Sequence, residues 1–231
     1  MIAVGLFGPL GCIPEGGGAL TGAAAANSPE GKACPADGVI DDAEDNNNQI
    51  ALNKGRAGYW YTFSDKIGST VTPAAGGTFA MSRGGASGSA LAARANGKVG
   101  GGQIVYAGMG FNFIDPKGPY NASAYKGISF WAKVGEGSAT KVRLKVPDAN
   151  TDPDGKVCTD CFNDFGADLE LTTAWTKYTV TFSSLAQLPG WGAPHPGSVD
   201  TSKLYGVQFQ VNSPGATYDV WVDEIAFTGC P

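Results

Sequence analysis

Histidine is almost absent from this chain of 231 residues: His195 is the only one. That excludes a zinc centre built on imidazoles and any acid–base scheme needing a pair of histidines. Charged residues make up only 16% of the chain and carry a formal net charge of −5, which speaks against nucleic acid as a partner because phosphates would be repelled. No apolar run approaches the roughly 20 residues that a helix needs to span a bilayer, and no stretch has the spacing of a long amphipathic helix. What is present is 42% hydrophobic residues in short runs, broken by 35 glycines and 14 prolines. That profile suits many strands joined by tight turns. A chain of this length could hold one large β-sandwich or two small domains. Only one core is apparent, so the sequence divides into residues 1–37, a signal-like segment and Gly/Ala-rich tether, and residues 38–231, a single all-β domain.

The opening twelve residues are apolar and end in Leu10, Gly11 and Cys12, similar to the end of a bacterial lipoprotein signal, with Cys12 as the lipidation candidate. The positively charged start is missing and Pro9 stands where a larger aliphatic residue is usual. Either the true start lies further upstream or the match is accidental. Residues 14–37 are mainly Gly, Ala, Pro and Ser, too poor in large apolar side chains to offset the entropy of ordering. With Cys12 set aside, four of the five cysteines remain. Cys34 precedes the first expected strand and Cys230 is the penultimate residue, so in a sandwich whose first and last strands run side by side the two would meet and staple the chain ends. Cys158 and Cys161 form C-T-D-C in a loop. A short structural bridge is expected there, since zinc would need further Cys or His ligands and no βαβ pattern supports a redox motif. Both disulfides imply an extracellular or cell-surface location.

Alternation of period two marks the strands. Ile128, Phe130, Ala132 and Val134 share one face while Ser129, Trp131 and Lys133 take the other. Val142, Leu144 and Val146 oppose Lys141, Arg143 and Lys145. Tyr178, Val180 and Phe182 alternate with Lys177, Thr179 and Thr181, and Val207, Phe209 and Val211 with Gln208, Gln210 and Asn212. In the last strand, 218–227, Val220 and Val222 point inward, and an irregularity near Glu224 lets Ile225 and Phe227 do so too. Weaker strands are expected at 39–44, 59–63, 77–82, 89–94 and 109–114. One apolar and one polar face per strand predicts a two-sheet antiparallel β-sandwich. The polar faces, rich in fixed donors and acceptors, can read a sugar or can simply be solvated.

Four segments together resemble family 11 carbohydrate-binding modules and related bacterial β-jelly-roll modules. They are V-I-D-D-A-E-D at 39–45, with Ala43 in the place of the usual Phe; G-I-S-F-W-A-K at 127–133; residues 171–184, with Trp175 and F-S-S at 182–184, followed by Leu185; and residues 204–227, containing V-Q-F-Q-V and V-W-V-D-E-I. The order of the motifs is kept over most of residues 39–229, whereas 58–63 and 158–166 depart from the pattern. The resemblance implies a galactose-binding-like sandwich that holds a polysaccharide, such as a β-glucan or another plant cell-wall glycan, without cutting it. It also implies a structural calcium ion held by Glu44 on the first strand and Asp223 on the last.

The expected ligand-binding residues are Trp60, Trp191, Arg143, Lys145, Gln208, Gln210 and Asn163. Trp191 stands on a Gly/Pro-rich loop and offers a ring on which a pyranose can stack, unless it folds back as a lid. Alternation puts Trp60 on the face opposite Tyr59 and Tyr61. If Tyr59, Tyr61 and Phe63 are inward, Trp60 enters the groove, and this arrangement is favoured here. The reverse would leave two tyrosines there. Trp175 and Trp221 are expected to be structural. The acidic run at 148–155 imitates part of an EF-hand, but its spacing is two residues too long and it is expected to be a solvated loop. The rival readings are a jelly-roll lyase or hydrolase recruiting Asp164, Asp168, Tyr205, His195 and Arg143, for which no spacing singles out a pair, and a structural surface lipoprotein or adhesin.

Overall fold

In a computed structural model, residues 34–230 are described. The tether up to residue 33 and the lipidation candidate Cys12 lie outside the described residues. Among the described residues there are twelve strands: β1 (Val39–Asp41), β2 (Trp60–Ser64), β3 (Thr70–Thr72), β4 (Ser82–Arg83), β5 (Leu91–Lys98), β6 (Ala107–Asn112), β7 (Gly127–Val134), β8 (Lys141–Val146), β9 (Phe165–Glu170), β10 (Thr176–Thr181), β11 (Gly206–Val211) and β12 (Thr217–Thr228). One sheet runs β10-β7-β12-β5-β3, with β1 beside β12 and β4 beside β5. The other runs β2-β6-β11-β8-β9. All named pairings are antiparallel. This is the expected two-sheet sandwich.

The inner faces follow the alternation. Val142, Leu144 and Val146 of β8, and Val207, Phe209 and Val211 of β11, are buried against Ile128, Phe130, Ala132 and Val134 of β7. Phe130 meets Phe209 edge to face at 5.1 Å. The expected irregularity in β12 is a register shift between Asp223 and Ala226 with Glu224 at φ 50°, and it leaves both Ile225 and Phe227 buried. Two expectations differ. Residues 77–81 form no strand, although Phe79 and Met81 are buried beneath them. Strands β3 and β9 lie outside the expected set, although β9 alternates, with Phe165, Ala167 and Leu169 buried and Gly166, Asp168 and Glu170 on the other face.

Both disulfides form as expected, Cys158 with Cys161 and Cys34 with Cys230. The second joins residues 196 apart in sequence, and in the chain-entropy account a loop of that length is worth roughly 5 kcal/mol. Residues 34–37 lie on the domain, with the Cys34 amide donating to the Phe227 carbonyl at 2.9 Å. Beside them the buried Arg56 guanidinium donates to the carbonyls of Asp37 and Val39 and to the Tyr120 hydroxyl, closing this end of the sandwich.

The start of β2 is set by a buried polar pair. The Trp60 indole N–H donates to the Asp41 carboxylate, and the ring lies between Phe79, stacked at 5.5 Å, and Phe111, edge-on at 4.9 Å. Burial raises the Asp41 pKa to about 6, even though the bonds from Trp60 and from the Ala43 amide pull it down. A carboxyl whose folded pKa is raised binds its proton more tightly in the native state. Its contribution to stability is therefore fully present below the unfolded value of 3.8 and is lost as pH rises through about 6. The difference corresponds to roughly 3 kcal/mol. Asp223, also raised to about 6 by burial, adds a second such contribution. The urea midpoint is therefore expected to fall between pH 4 and pH 7, and Asp41→Asn, which keeps an acceptor for Trp60, removes about half of that fall. An unchanged slope in the variant would show that Asp41 is not the titrating group.

Candidate functional site

The outer face of the five-stranded sheet is built in two rows that follow from the strand register. One row crosses the sheet as Tyr61, Gly110, Gln208, Lys145 and Gly166. The other crosses as Phe63, Gly108, Gln210, Arg143 and Asp168. With four inter-strand steps, each row is roughly 19 Å long. The glycines are required by their neighbours. A Cβ on Gly108 would sit 3.0 Å from the Phe63 ring and 2.1 Å from the Phe209 carbonyl, and one on Gly166 would sit 3.0 Å from Nε of Arg143. Small residues at these points leave room for the large side chains of Phe63 and Arg143 beside them.

At the β2 edge Tyr61 and Phe63 lie with ring centroids 6.2 Å apart, and Tyr106 follows 6.3 Å beyond Phe63. Tyr106 is held by Asp65: burial raises the pKa of that carboxyl, but bonds from the Ser69 hydroxyl and from the amides of Tyr106, Ile67 and Ser69 outweigh it and hold the value at about 2. The Tyr61 hydroxyl accepts from Gln208 Nε2 at 3.0 Å, and burial raises its pKa, so it keeps its proton.

In the middle, Lys145 Nζ contacts Asp164 Oδ2 at 2.8 Å and Gln210 Oε1 at 3.4 Å. Asp164 is buried, and its other oxygen, Oδ1, has no hydrogen-bond partner. Arg143 Nη1 reaches Asp168 at 3.1 Å and its Nη2 donates to the Ala186 carbonyl at 2.7 Å. Asp168 also contacts Lys141 at 3.4 Å.

At the β9 edge, residues 186–194 run beside the sheet and begin with paired backbone bonds between Gly166 and Ala186. Trp191 stands at the tip and is 43% exposed, so it is not a lid. Exposed Phe162 comes from the same disulfide loop that supports it, where Asp160 accepts from the Gly192 amide and residues 160 and 193 are bridged.

The expected residues divide accordingly. Arg143, Lys145, Gln208 and Gln210 share the face, and Trp191 stands exposed on the loop that pairs with the start of β9 and the segment before it. Trp60 is not on the face: it is 3% exposed, in the core, and Tyr61 and Phe63 take the outward positions. The inward side of β2 carries Trp60 and Thr62, and its polar atoms are satisfied by Asp41 and, through the Thr62 hydroxyl, by the Pro73 carbonyl. Asn163 is also buried, at 2% exposure. Its Nδ2 donates to the carbonyls of Leu188 and Trp191 and its Oδ1 accepts from the Leu188 amide, so it shapes the Trp191 loop and does not face a ligand. Phe63 and Tyr106 are the site residues that sequence reasoning passed over, and Asp164 entered it only as a candidate catalytic acid. Reversing the phase of β2 would have found Phe63.

Glu44 and Asp223 converge on one turn at the other sheet. Glu44 Oε1 accepts from the Ser89 hydroxyl and the amides of Ala90 and Leu91 at 2.7 to 2.9 Å, and the Ser89 bond is the main reason its pKa is lowered. Asp223 accepts from the amides of Ala86 and Glu224. Among the described residues no three His, Cys, Asp or Glu side chains cluster as a metal site. An ion here would have two carboxylates and otherwise neutral oxygens, a donor set that suits calcium. The acidic run at 148–155 is not the solvated loop expected: Asp148, Thr151 and Asp152 are buried, Asp148 accepting from the amides of Asn150 and Asp200 and Asp152 pairing with Lys117.

No protein-family model matches the sequence, and no curated protein does. Among solved structures, the fold is similar to a family 11 carbohydrate-binding module from Clostridium thermocellum in complex with a β-1,3-1,4-mixed-linked tetrasaccharide (TM-score 0.56, 20% identity, covering 84% of this chain and 95% of that one). It is similar also to the family 30 carbohydrate-binding module of a cellulosomal cellulase from the same organism (TM-score 0.52, 12% identity, 79% and 96%) and to a quarter of an exo-β-agarase (TM-score 0.51, 14% identity, 84% and 25%). The sandwich from β1 to β12 thus has the jelly-roll fold of carbohydrate-binding modules of families 11 and 30.

Proposed function

We propose that this domain binds a neutral polysaccharide, of the β-glucan type, along the outer face of the five-stranded sheet, without cleaving it. The observation that carries this reading is the pair of cross-strand rows. A polar middle of Gln208, Gln210, Lys145 and Arg143 lies between aromatic rings at both edges, Tyr61, Phe63 and Tyr106 on one side and Trp191 on the other. Rings accept the apolar face of a pyranose and the amides bond its hydroxyls. Asp164 lies buried beneath this face and holds the Lys145 ammonium group in place from below.

Hydrolysis by a pair of acids has less support. A glycosidase needs two carboxyl groups facing one another across the sugar, whereas Asp164 faces Lys145 and Asp168 faces Arg143 and Lys141. Two disulfides and a fold used by secreted modules favour an exported protein. Among the described residues no helix is long and apolar enough to cross a membrane.

A structural calcium ion held by Glu44 and Asp223 is part of the same proposal. It is supported by their meeting on the turn at 86–91 and by the burial of Asp223 without a cationic partner among the described residues. The ion would fix β1 to β12 at the end of the sandwich.

Two outcomes are expected. In affinity electrophoresis through mixed-linkage β-glucan the protein is retarded, and Tyr61→Ala or Trp191→Ala weakens retention at least fivefold, consistent with about 1 kcal/mol per stacked ring. Release of reducing ends or unsaturated products from the same glucan would show the protein to be an enzyme instead. Retention unaffected by both variants would move the site elsewhere. For the metal, adding 1 mM calcium to EDTA-treated protein is expected to raise Tm by roughly 5 °C or more, and Glu44→Gln to abolish the rise. Equal Tm values with and without calcium would dismiss the ion.

A further inference from the structure

The opposite face of the molecule carries a second ordered row of side chains. Trp221 of β12 is paired with Lys133 of β7 on one side and with Arg94 of β5 on the other. Trp175 lies one residue before β10, level with Lys133, because Thr176 pairs with Ala132. The row therefore reads Trp175, Lys133, Trp221, Arg94 across four adjacent strands. Its contacts are close. Lys133 Nζ lies 4.9 Å from the Trp175 ring centroid and 4.8 Å from that of Trp221, and the Arg94 guanidinium carbon lies 4.4 Å from the Trp221 ring centroid. Trp131, directly opposite Lys177, extends the patch by one level.

A solvated sheet face does not call for this composition. The neighbouring outward positions are Thr179, Thr181 and Asn96, while the inner face beneath is already filled by Ala132, Val134, Val220 and Val222. Yet three of the five tryptophans of the chain stand here, all half-buried. Charge separates this face from the groove. Arg94 is neutralised by Asp219 in a bidentate pair at 2.8 and 2.9 Å. Lys133 and Lys177 enter none of the ion pairs formed among the described residues. Asp223 lies opposite Trp131 on β12 but bonds the Ala86 and Glu224 amides and neither lysine, so in a chain of net charge −5 two ammonium groups without a salt-bridge partner among the described residues stand among three indole rings and offer a cationic site with stacking surfaces.

We propose that this face is a second glycan site, specific for a carboxylated, uronate-type polysaccharide: sugar rings rest on Trp131 and Trp175 while their carboxylates pair with Lys133 and Lys177. Charge complementarity selects the anionic glycan over a neutral one, and the regular spacing of carboxylates along such a polymer suits two lysines on neighbouring strands. The site is independent of the groove on the other sheet.

The test is affinity electrophoresis of the full chain through polygalacturonate and, separately, through mixed-linkage β-glucan, with the variants Lys133→Gln/Lys177→Gln, Trp131→Ala and Tyr61→Ala. Retention on polygalacturonate is expected, falling about tenfold in the double lysine variant, falling also in Trp131→Ala, and weakening with added salt. Tyr61→Ala is expected to leave it unchanged, and the lysine variant to leave glucan retention unchanged. Loss of polygalacturonate binding in Tyr61→Ala but not in the lysine variant would overturn the proposal, as would no retention of the wild-type protein. Sedimentation of the wild type as a dimer that the lysine variant dissociates would make the face a subunit interface and overturn it equally. Unchanged thermal midpoints in the variants separate a binding loss from a folding defect.

Discussion

The bond between the Trp60 indole and the buried Asp41 carboxylate sets the phase of strand β2, and the binding face depends on that phase. In a strand the side-chain period is two, so holding one residue inward determines the direction of all the others. With Trp60 bonded to Asp41 and packed between Phe79 and Phe111, Tyr61 and Phe63 have only the outer face available. Removing the carboxylate would leave a buried indole donor without a partner, a cost of about 1 to 3 kcal/mol. The alternative phase would bury the Tyr61 hydroxyl instead and strip the groove edge of its rings.

The middle of the face is ordered by a different means. Lys145 and Asp164 are both buried, and a buried ion pair gains little net stability because desolvation offsets the attraction. Its value lies in position. Lys145 is drawn toward β9, which leaves Gln208 turned toward Tyr61 and Gln210 beside the ammonium group. Arg143 extends the same logic beyond the sheet: lying over Gly166, it ties the Ala186 carbonyl to the β9 edge, and Asn163 then folds residues 188–191 so that Trp191 stands out from the surface. The exposed ring is thus carried on a loop whose two anchors are buried polar side chains.

This division explains which parts were legible in the sequence. Strands β7, β8, β11 and β12 alternate cleanly because each faces a well-packed core, and even the Glu224 irregularity is visible as a break in the inward series. The two disulfides follow from where the chain ends lie in a sandwich and from the short C-T-D-C loop. Strand β2 misleads because its inward side is Trp60 and Thr62, whose polar atoms are satisfied by partners distant in sequence, while its outward side is the apolar-looking Tyr61 and Phe63. Strand β9 does alternate, Phe165, Ala167 and Leu169 against Gly166, Asp168 and Glu170, but the small Gly166 and Ala167 weaken the contrast; Gly166 is required because an added Cβ would meet the Leu144 carbonyl at 2.4 Å. Asn163, a plausible sugar-binding amide by type, has all its bonding directed at the backbone of one loop, which no local pattern reveals.

The same physics limits what the shared fold can say about ligand. Stability resides in the inner faces, where Phe130 meets Phe209 and valines fill the space between sheets. Outward positions are therefore free to vary without penalty to the core, provided that each strand keeps its phase. A shared fold at only 12 to 20% identity over most of the chain is compatible with this freedom. It also follows that the two outer faces of one sandwich can acquire different chemistries. Here one presents amides and buried ion pairs between aromatic edges, and the other presents tryptophans interleaved with cations. Since neither set contributes to the core between the sheets, a change of ligand preference on one face need not be compensated on the other.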